Sequence, residues 1–136
     1  MKAGPDDPVI RIDPRPDATA LRALMRAAWG EPTEADFAAI WSRSLAHLCA
    51  FSGGELVGYV NVAWDGGVHA SIFDTTVHPG HQRQGIGMAL VKAAARVAAE
   101  RGAEWLHVDC EPRFAGFYRA CGFAPTEAGL MRLKPA

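Results

Sequence analysis

The stretch QRQGIGMAL, residues 82–90, places two glycines where an amphipathic helix begins. Glycine is a poor helix former, so its use there indicates an unusual backbone conformation or a close approach to another group. A glycine-containing loop at a helix N-terminus also leaves backbone N–H groups free at the positive end of the helix dipole. The pattern is therefore typical of an anion site, although two glycines alone also suit a simple turn into the helix.

Hydrophobic periodicity on either side of this stretch predicts alternating strands and helices. The predicted strand before the glycines (68–77), the helix that they begin (85–101) and the strand after it (104–110) form a βαβ unit. The two strands of this unit should therefore be parallel neighbours. The fold class is therefore α/β (α+β), a mixed and mostly antiparallel sheet with helices on both faces. The predicted strands are 9–12, 48–51, 56–64, 68–77, 104–110 and 129–134, and the predicted helices are 17–30, 33–46, 85–101 and a short one within 111–123.

Composition limits the classes of protein to which the chain can belong. Its 136 residues, 49% of them hydrophobic, suit a single domain over 1–136 with a loose tail at 1–8. A net charge of −1 gives no general attraction for nucleic acid or an anionic membrane, and no apolar run approaches the roughly 18 residues that span a bilayer. The three cysteines form no CxxC pair, which argues against a disulfide framework or a metal site and favours the cytoplasm.

Two well-known phosphate-binding loops do not fit. The sequence has no G-x-x-x-x-G-K-[ST], which excludes the nucleoside-triphosphatase loop. A dinucleotide fingerprint gains some support from Asp109, which ends the next strand at a suitable distance. However, Leu90 stands where the third glycine belongs, and HPGHQRQ separates the glycines from the preceding strand. The chain is also too short to complete a dinucleotide-binding domain after this loop.

The segment VHPGHQRQGIGMALV resembles the acyl-coenzyme-A-binding segment of the GNAT superfamily of N-acetyltransferases. The family signature [QR]-x-x-G-x-[GA] corresponds to residues 82–87, and FYRACGF at 117–123 is similar to the family's FYxxxGF segment. The order of predicted elements agrees as well. The resemblance is specific over about 71–123 and topological before that, and it implies a GNAT-like sheet with a central, splayed pair of parallel strands.

The resemblance implies acetyl-coenzyme A as co-substrate, with no metal. Its pyrophosphate would be bound by backbone N–H groups of the glycine loop, and its pantetheine arm would lie along the end of strand 68–77. There the Val77 N–H would be the candidate donor to the oxyanion. The implied cofactor-binding residues are Thr75, Thr76, Val77, Gln82, Arg83, Gln84, Gly85, Ile86, Gly87 and Met88.

The resemblance also implies the chemistry, in which an amine attacks the thioester directly within a ternary complex. Tyr118 matches the family's general acid. A phenol, with a pKa near 10, suits protonation of a thiolate whose conjugate thiol has a pKa near 8.5. A tyrosine that only packs its ring in the core is the alternative.

The general base is left open by the resemblance. Asp74 interrupts an apolar and hydroxylic strand, and Glu111 follows the next strand at the rim where open sheets bind ligands. Many family members have asparagine at the position of Glu111, so that role does not transfer. Asp109, His69 and His107 are further candidates. Each of these residues also suits a purely structural role, and water can deprotonate the amine instead.

The acceptor is expected between the first two helices and the three-strand meander, where Trp29, Trp41 and Trp64 are candidate lining residues. A small-molecule or peptide amine is the predicted substrate class. A homodimer is compatible with an open sheet edge near the final strand. A non-catalytic acyl-coenzyme-A sensor is the alternative function, and the presence of Tyr118 beside the loop motif favours the enzyme, because a sensor needs only the loop.

Overall fold

The computed structural model describes residues 7–135, so most of the tail predicted over 1–8 lies outside the described residues. Five strands form one sheet in the order β1-β2-β3-β4-β5, antiparallel except for the parallel pair β4–β5. The strands are β1 Val9–Ile12, β2 Ser44–Ser52, β3 Glu55–Trp64, β4 His69–Val77 and β5 Trp105–Val108. The helices are α1 Ala18–Trp29, α2 Phe37–Trp41, α3 Ile86–Glu100 and α4 Ala115–Ala120.

Alternating side chains of the central strands bury the sheet against helices on both of its faces. On β2, Leu48 and Ala50 belong to the cluster that packs on α3, while Cys49 belongs to the cluster that packs on α1 and α2. The period-2 alternation of a strand produces this division. The predicted mixed sheet with helices on both faces is confirmed.

The helix predicted over 33–46 is wrong at both ends, since residues 33–36 are not helical and residues 44–46 belong to a strand. Only Phe37–Trp41 is helical. After it, the Ser42 hydroxyl donates a hydrogen bond to the Ala39 carbonyl, and the Ser44 hydroxyl donates to the Ile40 carbonyl. From Ser44 onward the chain is the central strand β2, whose residues 45–50 are all buried. A strand covered on both faces has a continuous apolar run, which periodicity alone does not separate from a buried helix.

The strand predicted over 129–134 is not formed. Residues 124–135 have no regular structure, and Leu130, Met131 and Leu133 are 80–92% exposed. No neighbouring strand in the described chain pairs with this segment, and a strand needs such a partner to satisfy its backbone. The parallel pair consequently lies at one edge of the sheet, with β5 as the edge strand.

The parallel strands pair along only part of their length. Pairing of β4 with β5 ends at Ile72 and Val108, although β4 continues to Val77. In the pairing with β3, Phe73 lies opposite Asn61 and Thr76 lies opposite Tyr59. Three steps along β4 therefore match two steps along β3, so β4 contains one extra residue. Such a β-bulge bends the strand and redirects its side chains. Together these features open the sheet between the ends of β4 and β5.

Within the described part of the chain, no helix is both long and apolar enough to cross a membrane.

Candidate active site

A cleft of about 1020 Å³ lies where β4 and β5 separate. It is lined by residues from the end of α1, the bulge of β4, the glycine loop, the loop after β5, and α4. Of the ten residues predicted to bind the cofactor and the three foremost catalytic candidates, Tyr118, Asp74 and Glu111, all but two line this cleft. Those that do are Asp74, Thr75, Val77, Gln82, Arg83, Gly85, Ile86, Gly87, Met88, Glu111 and Tyr118, whereas Thr76 and Gln84 do not.

The N-terminus of α3 opens into this cleft with free donors. The first helical hydrogen bond runs from the Ala89 N–H to the Gly85 carbonyl at 3.0 Å, so the amides of Ile86, Gly87 and Met88 have no acceptor within the helix. Gly85 precedes the helix at φ +80° and provides no side-chain cap. These are the features of a backbone anion site.

The two glycines of the loop serve different purposes. Gly85 has the left-handed conformation that favours glycine, with open space where a Cβ would lie. At Gly87 an added Cβ would lie 3.3 Å from Cζ of Phe117 and 3.5 Å from Cγ2 of Val77. Phe117, on α4, therefore approaches the helix closely because Gly87 has no side chain. The loop motif and the FYRACGF segment are thus in direct contact.

The β4 bulge turns two polar side chains toward the cleft. Asp74 lies at φ +56°, an uncommon conformation for a residue other than glycine but one that aspartate tolerates better than most. The next residue, Thr75, has a buried hydroxyl oxygen with no hydrogen-bond partner of regular geometry among the described residues. This hydroxyl lies beside the Tyr118 side chain, and a buried hydroxyl without a well-formed hydrogen bond in a cleft suits a polar ligand there.

Thr76 points to the opposite face of the strand and holds the bulge from behind. Its hydroxyl oxygen accepts a hydrogen bond from Trp29 Nε1 at 3.0 Å and donates to the Asp74 carbonyl at 2.8 Å. The side chain is 1% exposed, so these bonds are shielded from water. Thr76 thus connects the end of α1 to the bulge.

The amide of Val77 is directed toward the cleft. The His78 N–H donates to the Val57 carbonyl at 2.8 Å, and Gly58 lies opposite Val77. Because hydrogen-bonded and non-hydrogen-bonded pairs alternate in an antiparallel ladder, the backbone groups of Val77 point away from β3. Its carbonyl accepts from Gln82 Nε2 at 3.2 Å, which ties the loop to the strand. Its N–H remains available to a ligand.

The Tyr118 phenol is half-buried in the wall of the cleft. Its ring makes edge contacts with Phe117 at 4.9 Å and with Phe123 at 5.8 Å between centroids. Burial raises the pKa of Tyr118, and the neighbouring Thr75 side chain acts in the opposite direction. The phenol therefore keeps its proton through the neutral range, as a proton donor must.

The two carboxylates proposed as bases differ in their surroundings. Desolvation raises the pKa of Asp74, and no described residue forms a hydrogen bond or ion pair with its carboxylate. Glu111 instead accepts a hydrogen bond from Arg113 Nε at 2.7 Å, and both of these side chains are about two-thirds exposed. Of these two carboxylates, Asp74 is therefore the one without a partner among the described residues.

The remaining sequence candidates are distributed around the molecule. Asp109 and Trp29 line the cleft. His69 and His107 lie outside the cleft and contact each other, with Nδ1 and Nε2 separated by 2.9 Å. The other two tryptophans predicted to line the acceptor site have partners away from the cleft. The indole N–H of Trp41 donates to the Tyr59 hydroxyl, and that of Trp64 donates to the Gly67 carbonyl.

Sequence reasoning missed several lining residues. Arg113 and Phe114 lie in the turn between β5 and α4, with the guanidinium 4.5 Å from the centroid of the Phe114 ring. Their position after the carboxyl end of a parallel strand was the available signal. Ala28 and His81 also line the cleft, and nothing in the sequence distinguishes them. No group of three metal-ligating side chains occurs among residues 7–135.

Comparisons with known proteins agree with this geometry. The model of the acetyltransferase (GNAT) family matches residues 17–123. A GNAT family acetyltransferase from Streptococcus pneumoniae superposes with a TM-score of 0.77 at 26% identity, covering 94% of this chain and all of that one. An aminoglycoside N-acetyltransferase in complex with CoA has a TM-score of 0.76 at 20% identity, with full coverage of both chains.

Among curated relatives, the mycothiol acetyltransferase of Mycolicibacterium vanbaalenii is 38% identical over 66 residues, 48% of this chain and 22% of that protein. The curated relatives that it matches are aligned over 22–36% of their own length. The chain belongs to the GNAT acetyltransferase family. The predicted family and fold are therefore confirmed, and the family is one of acetyltransferases.

Proposed function

We propose that this protein transfers an acetyl group from acetyl-CoA to a primary amine of a small molecule or peptide. The observation that carries the proposal is the cleft itself, which joins the free amides at the start of α3 to the half-buried phenol of Tyr118. A pyrophosphate suits the first feature and a departing thiolate suits the second.

The cleft offers acetyl-CoA successive contacts along its length. The amides of Ile86, Gly87 and Met88, with those of the loop from Gln82 through Arg83 and Gln84 to Gly85, would bind the pyrophosphate. The pantetheine arm would continue between the ends of β4 and β5, as an added strand that bonds the backbone of Thr75 and Val77, whereas the backbone of Thr76 is directed toward β3. The buried Thr75 hydroxyl supports a polar ligand in this gap.

The reaction would proceed by direct attack. The amine nitrogen forms a bond to the thioester carbonyl carbon, and the Val77 N–H stabilises the resulting oxyanion. As the carbon–sulfur bond breaks, the thiolate receives the Tyr118 proton. The neutral amine nitrogen gains a positive charge as it attacks, and the proton that it then loses passes to the Asp74 carboxylate, directly or through water.

Asp74 is favoured over Glu111 as this base for an electrostatic reason. The Glu111 carboxylate already has Arg113 as partner, whereas Asp74 has none among the described residues and its pKa is raised by desolvation. A raised pKa makes a carboxylate a stronger proton acceptor. Glu111 would shape the rim of the cleft.

A non-catalytic acyl-CoA sensor is the second candidate function. The loop amides favour it as much as they favour the enzyme, but a sensor does not require Tyr118. A cytoplasmic location, suggested by the cysteine pattern, remains a prediction and is compatible with both functions.

The test is acetyl-CoA-dependent thiol release with a panel of amines, together with calorimetric titration of acetyl-CoA. Substitution Tyr118→Phe removes the proton donor and keeps the ring, so turnover should fall by about 10²–10⁴-fold. The Kd for acetyl-CoA should stay within about twofold, because the pyrophosphate and pantetheine contacts remain.

The chain contains one matched control, since Tyr59 is its only other tyrosine. Tyr59 is fully buried outside the cleft and accepts from Trp41 Nε1 at 2.9 Å, so Tyr59→Phe should lower stability and leave turnover per folded molecule unchanged. Binding of acetyl-CoA without turnover on any amine would favour the sensor. Equal turnover of Tyr118→Phe and the parent protein would exclude Tyr118 as the acid.

A further inference from the structure

Two histidines meet on an exposed face of the sheet, where the parallel strands begin to pair. His69 lies opposite Trp105 and His107 lies opposite Ser71, so the register places both imidazoles on one face of β4 and β5. Nδ1 of His69 and Nε2 of His107 are 2.9 Å apart, and both residues are exposed to solvent. Neither histidine lines the cleft. The proposed acetyl transfer therefore gives this pair no role.

The separation of the two nitrogens suits ligation of one metal ion by both rings. Neutral imidazole is the commonest metal ligand in proteins and binds through either nitrogen. Two ligands at adjacent corners of a square, each about 2.0 Å from the ion, are about 2.9 Å apart, and Cu²⁺ and Ni²⁺ prefer this arrangement. Two tetrahedral ligands of Zn²⁺ are about 3.3 Å apart. The observed spacing of 2.9 Å matches the square arrangement, and exposed rings are able to rotate so that both lone pairs point at one ion.

The surroundings of His69 favour a cation. His69 lines a recess of about 240 Å³ at the end of the β3–β4 hairpin, together with Asp65. Among the described residues, no lysine or arginine lines this recess. The Asp65 carboxylate accepts hydrogen bonds from the Gly67 N–H at 2.7 Å and from the His69 N–H at 3.3 Å, which hold its negative charge near the imidazole. That charge attracts a cation to this end of the sheet.

We propose that His69 and His107 together bind a divalent transition-metal ion, Cu²⁺ or Ni²⁺. No group of three His, Cys, Asp or Glu side chains suited to a metal occurs among residues 7–135, so water would fill the remaining positions. With both rings neutral, one N–H lies between the two nitrogens in the free protein. On binding, that proton would move to the other nitrogen of its ring, so no proton is lost overall. The ion would join β4 to β5 before the strands separate after Ile72 and Val108.

The remaining three histidines provide a comparison within the chain. His47 is buried, and its ring contacts the Pro14 carbonyl. His78 and His81 form a second pair, with ring centroids 5.8 Å apart, but Nδ1 of His78 already accepts a hydrogen bond from the Gly80 N–H at 3.0 Å. The proposed site is also independent of the proposed function, because it shares no residue with the cleft.

Calorimetric titration of the full, untagged chain with NiCl₂ tests this inference. The parent protein should bind one Ni²⁺ per chain saturably, whereas Mg²⁺, which prefers oxygen ligands, should not bind. His69→Asn and His107→Asn should each abolish saturable binding, because a single imidazole remains. Both positions are exposed, so the circular dichroism spectra should be unchanged. Ni²⁺ should also raise the unfolding temperature of the parent protein but not that of either variant.

His81→Asn is the matched control, because it removes one histidine from the other pair. It should bind Ni²⁺ as tightly as the parent protein does. A parent protein that binds no Ni²⁺ would overturn the proposal and leave a hydrogen bond alone between the two rings. Binding that persists in both His69→Asn and His107→Asn, or that is lost equally in the control, would overturn it as well.

Discussion

Asp74 combines two local costs at one residue. Its φ of +56° is uncommon for a residue other than glycine, and partial desolvation raises the pKa of its carboxyl above the usual 3.8 although the residue is still exposed to solvent. The hydroxyl of Thr76, itself bonded to Trp29, holds the carbonyl of this residue. Local strain maintained by the surrounding structure is common at functional sites. The bulge is thus stabilised from the face opposite the cleft.

Removal of the Asp74 charge should stabilise the fold at neutral pH. Because the pKa in the folded protein exceeds that in the unfolded chain, ionisation costs stability above the folded pKa and costs nothing below the ordinary value of 3.8. The Asp74→Asn variant should therefore be slightly the more stable protein at pH 7, since solvent screens a carboxylate that is still exposed, and its advantage should disappear near pH 3. Urea unfolding at both pH values measures this difference.

Asn is the suitable replacement because it also tolerates the left-handed conformation. Alanine removes the same charge but adopts the left-handed conformation less readily than asparagine. The Asp74→Ala variant should therefore gain less stability than the Asp74→Asn variant. An equal loss of stability in both variants at pH 7 would contradict a desolvation cost at Asp74. If Asp74 is the base, both variants should also turn over more slowly.

At the scale of elements, the packing of α3 on the sheet positions the anion site. Ile86 and Leu90 of α3 are buried against β2 and β3, and Gly58 of β3 lies directly below them. This contact fixes where the first turn of α3, with its free amides, meets the end of β4. The close approach of Phe117 to Gly87 then adds α4 to the same arrangement.

Gly58→Ala should disturb this packing. The new Cβ would lie 2.8 Å from Cδ1 of Leu90 and 3.2 Å from both Cγ2 of Ile86 and Cβ of Ala50, so the helix or its side chains must shift. Overpacking of this kind costs about 1–3 kcal/mol. Chemical denaturation should show that loss, and weaker acetyl-CoA binding should accompany it, since the first turn of α3 moves.

Gly116→Ala is the comparison for that substitution. Gly116 lies in the exposed face of α4 with open space at its Cβ position, so alanine should raise stability by about 0.5–1 kcal/mol. Similar effects of the two substitutions would mean that the contact between Gly58 and α3 is not tight.

At the scale of the whole molecule, a net charge of −1 provides no general attraction for an anionic ligand. Binding of acetyl-CoA must therefore depend on local donors, mainly the backbone amides at the start of α3. The family's co-substrate contains both a pyrophosphate and a pantetheine arm. The contribution of each part to binding can therefore be separated by comparing CoA with pantetheine, which lacks the pyrophosphate.

CoA should stabilise the protein by about 2.7 kcal/mol at a free concentration of 100 times its Kd. Pantetheine lacks the pyrophosphate and should raise the unfolding temperature less at the same concentration. Thermal unfolding monitored by circular dichroism compares the two ligands. Equal shifts would show that the glycine loop does not bind the pyrophosphate.

Local sequence predicted the parts of this protein that depend on neighbouring residues. The glycine loop, helix α3 and the βαβ unit follow from short-range periodicity and from the conformational needs of Gly85, and the family signature lies in these same segments. Most of the cleft lining was predicted from the resemblance to the family, whose signature segments contain the loop and Tyr118.

Long-range packing decided the rest. Residues 44–46 form a strand rather than a helix because both faces of β2 are covered, and residues 129–134 remain irregular because no described strand pairs with them. The bulge that turns Asp74 toward the cleft depends on the hydrogen bond between Thr76 and Trp29, two residues that lie 47 positions apart in the chain. The sequence by itself determined the elements and the anion loop, since these depend on local conformation. Only the tertiary structure decided which side chains face the cleft, since that depends on contacts between distant segments.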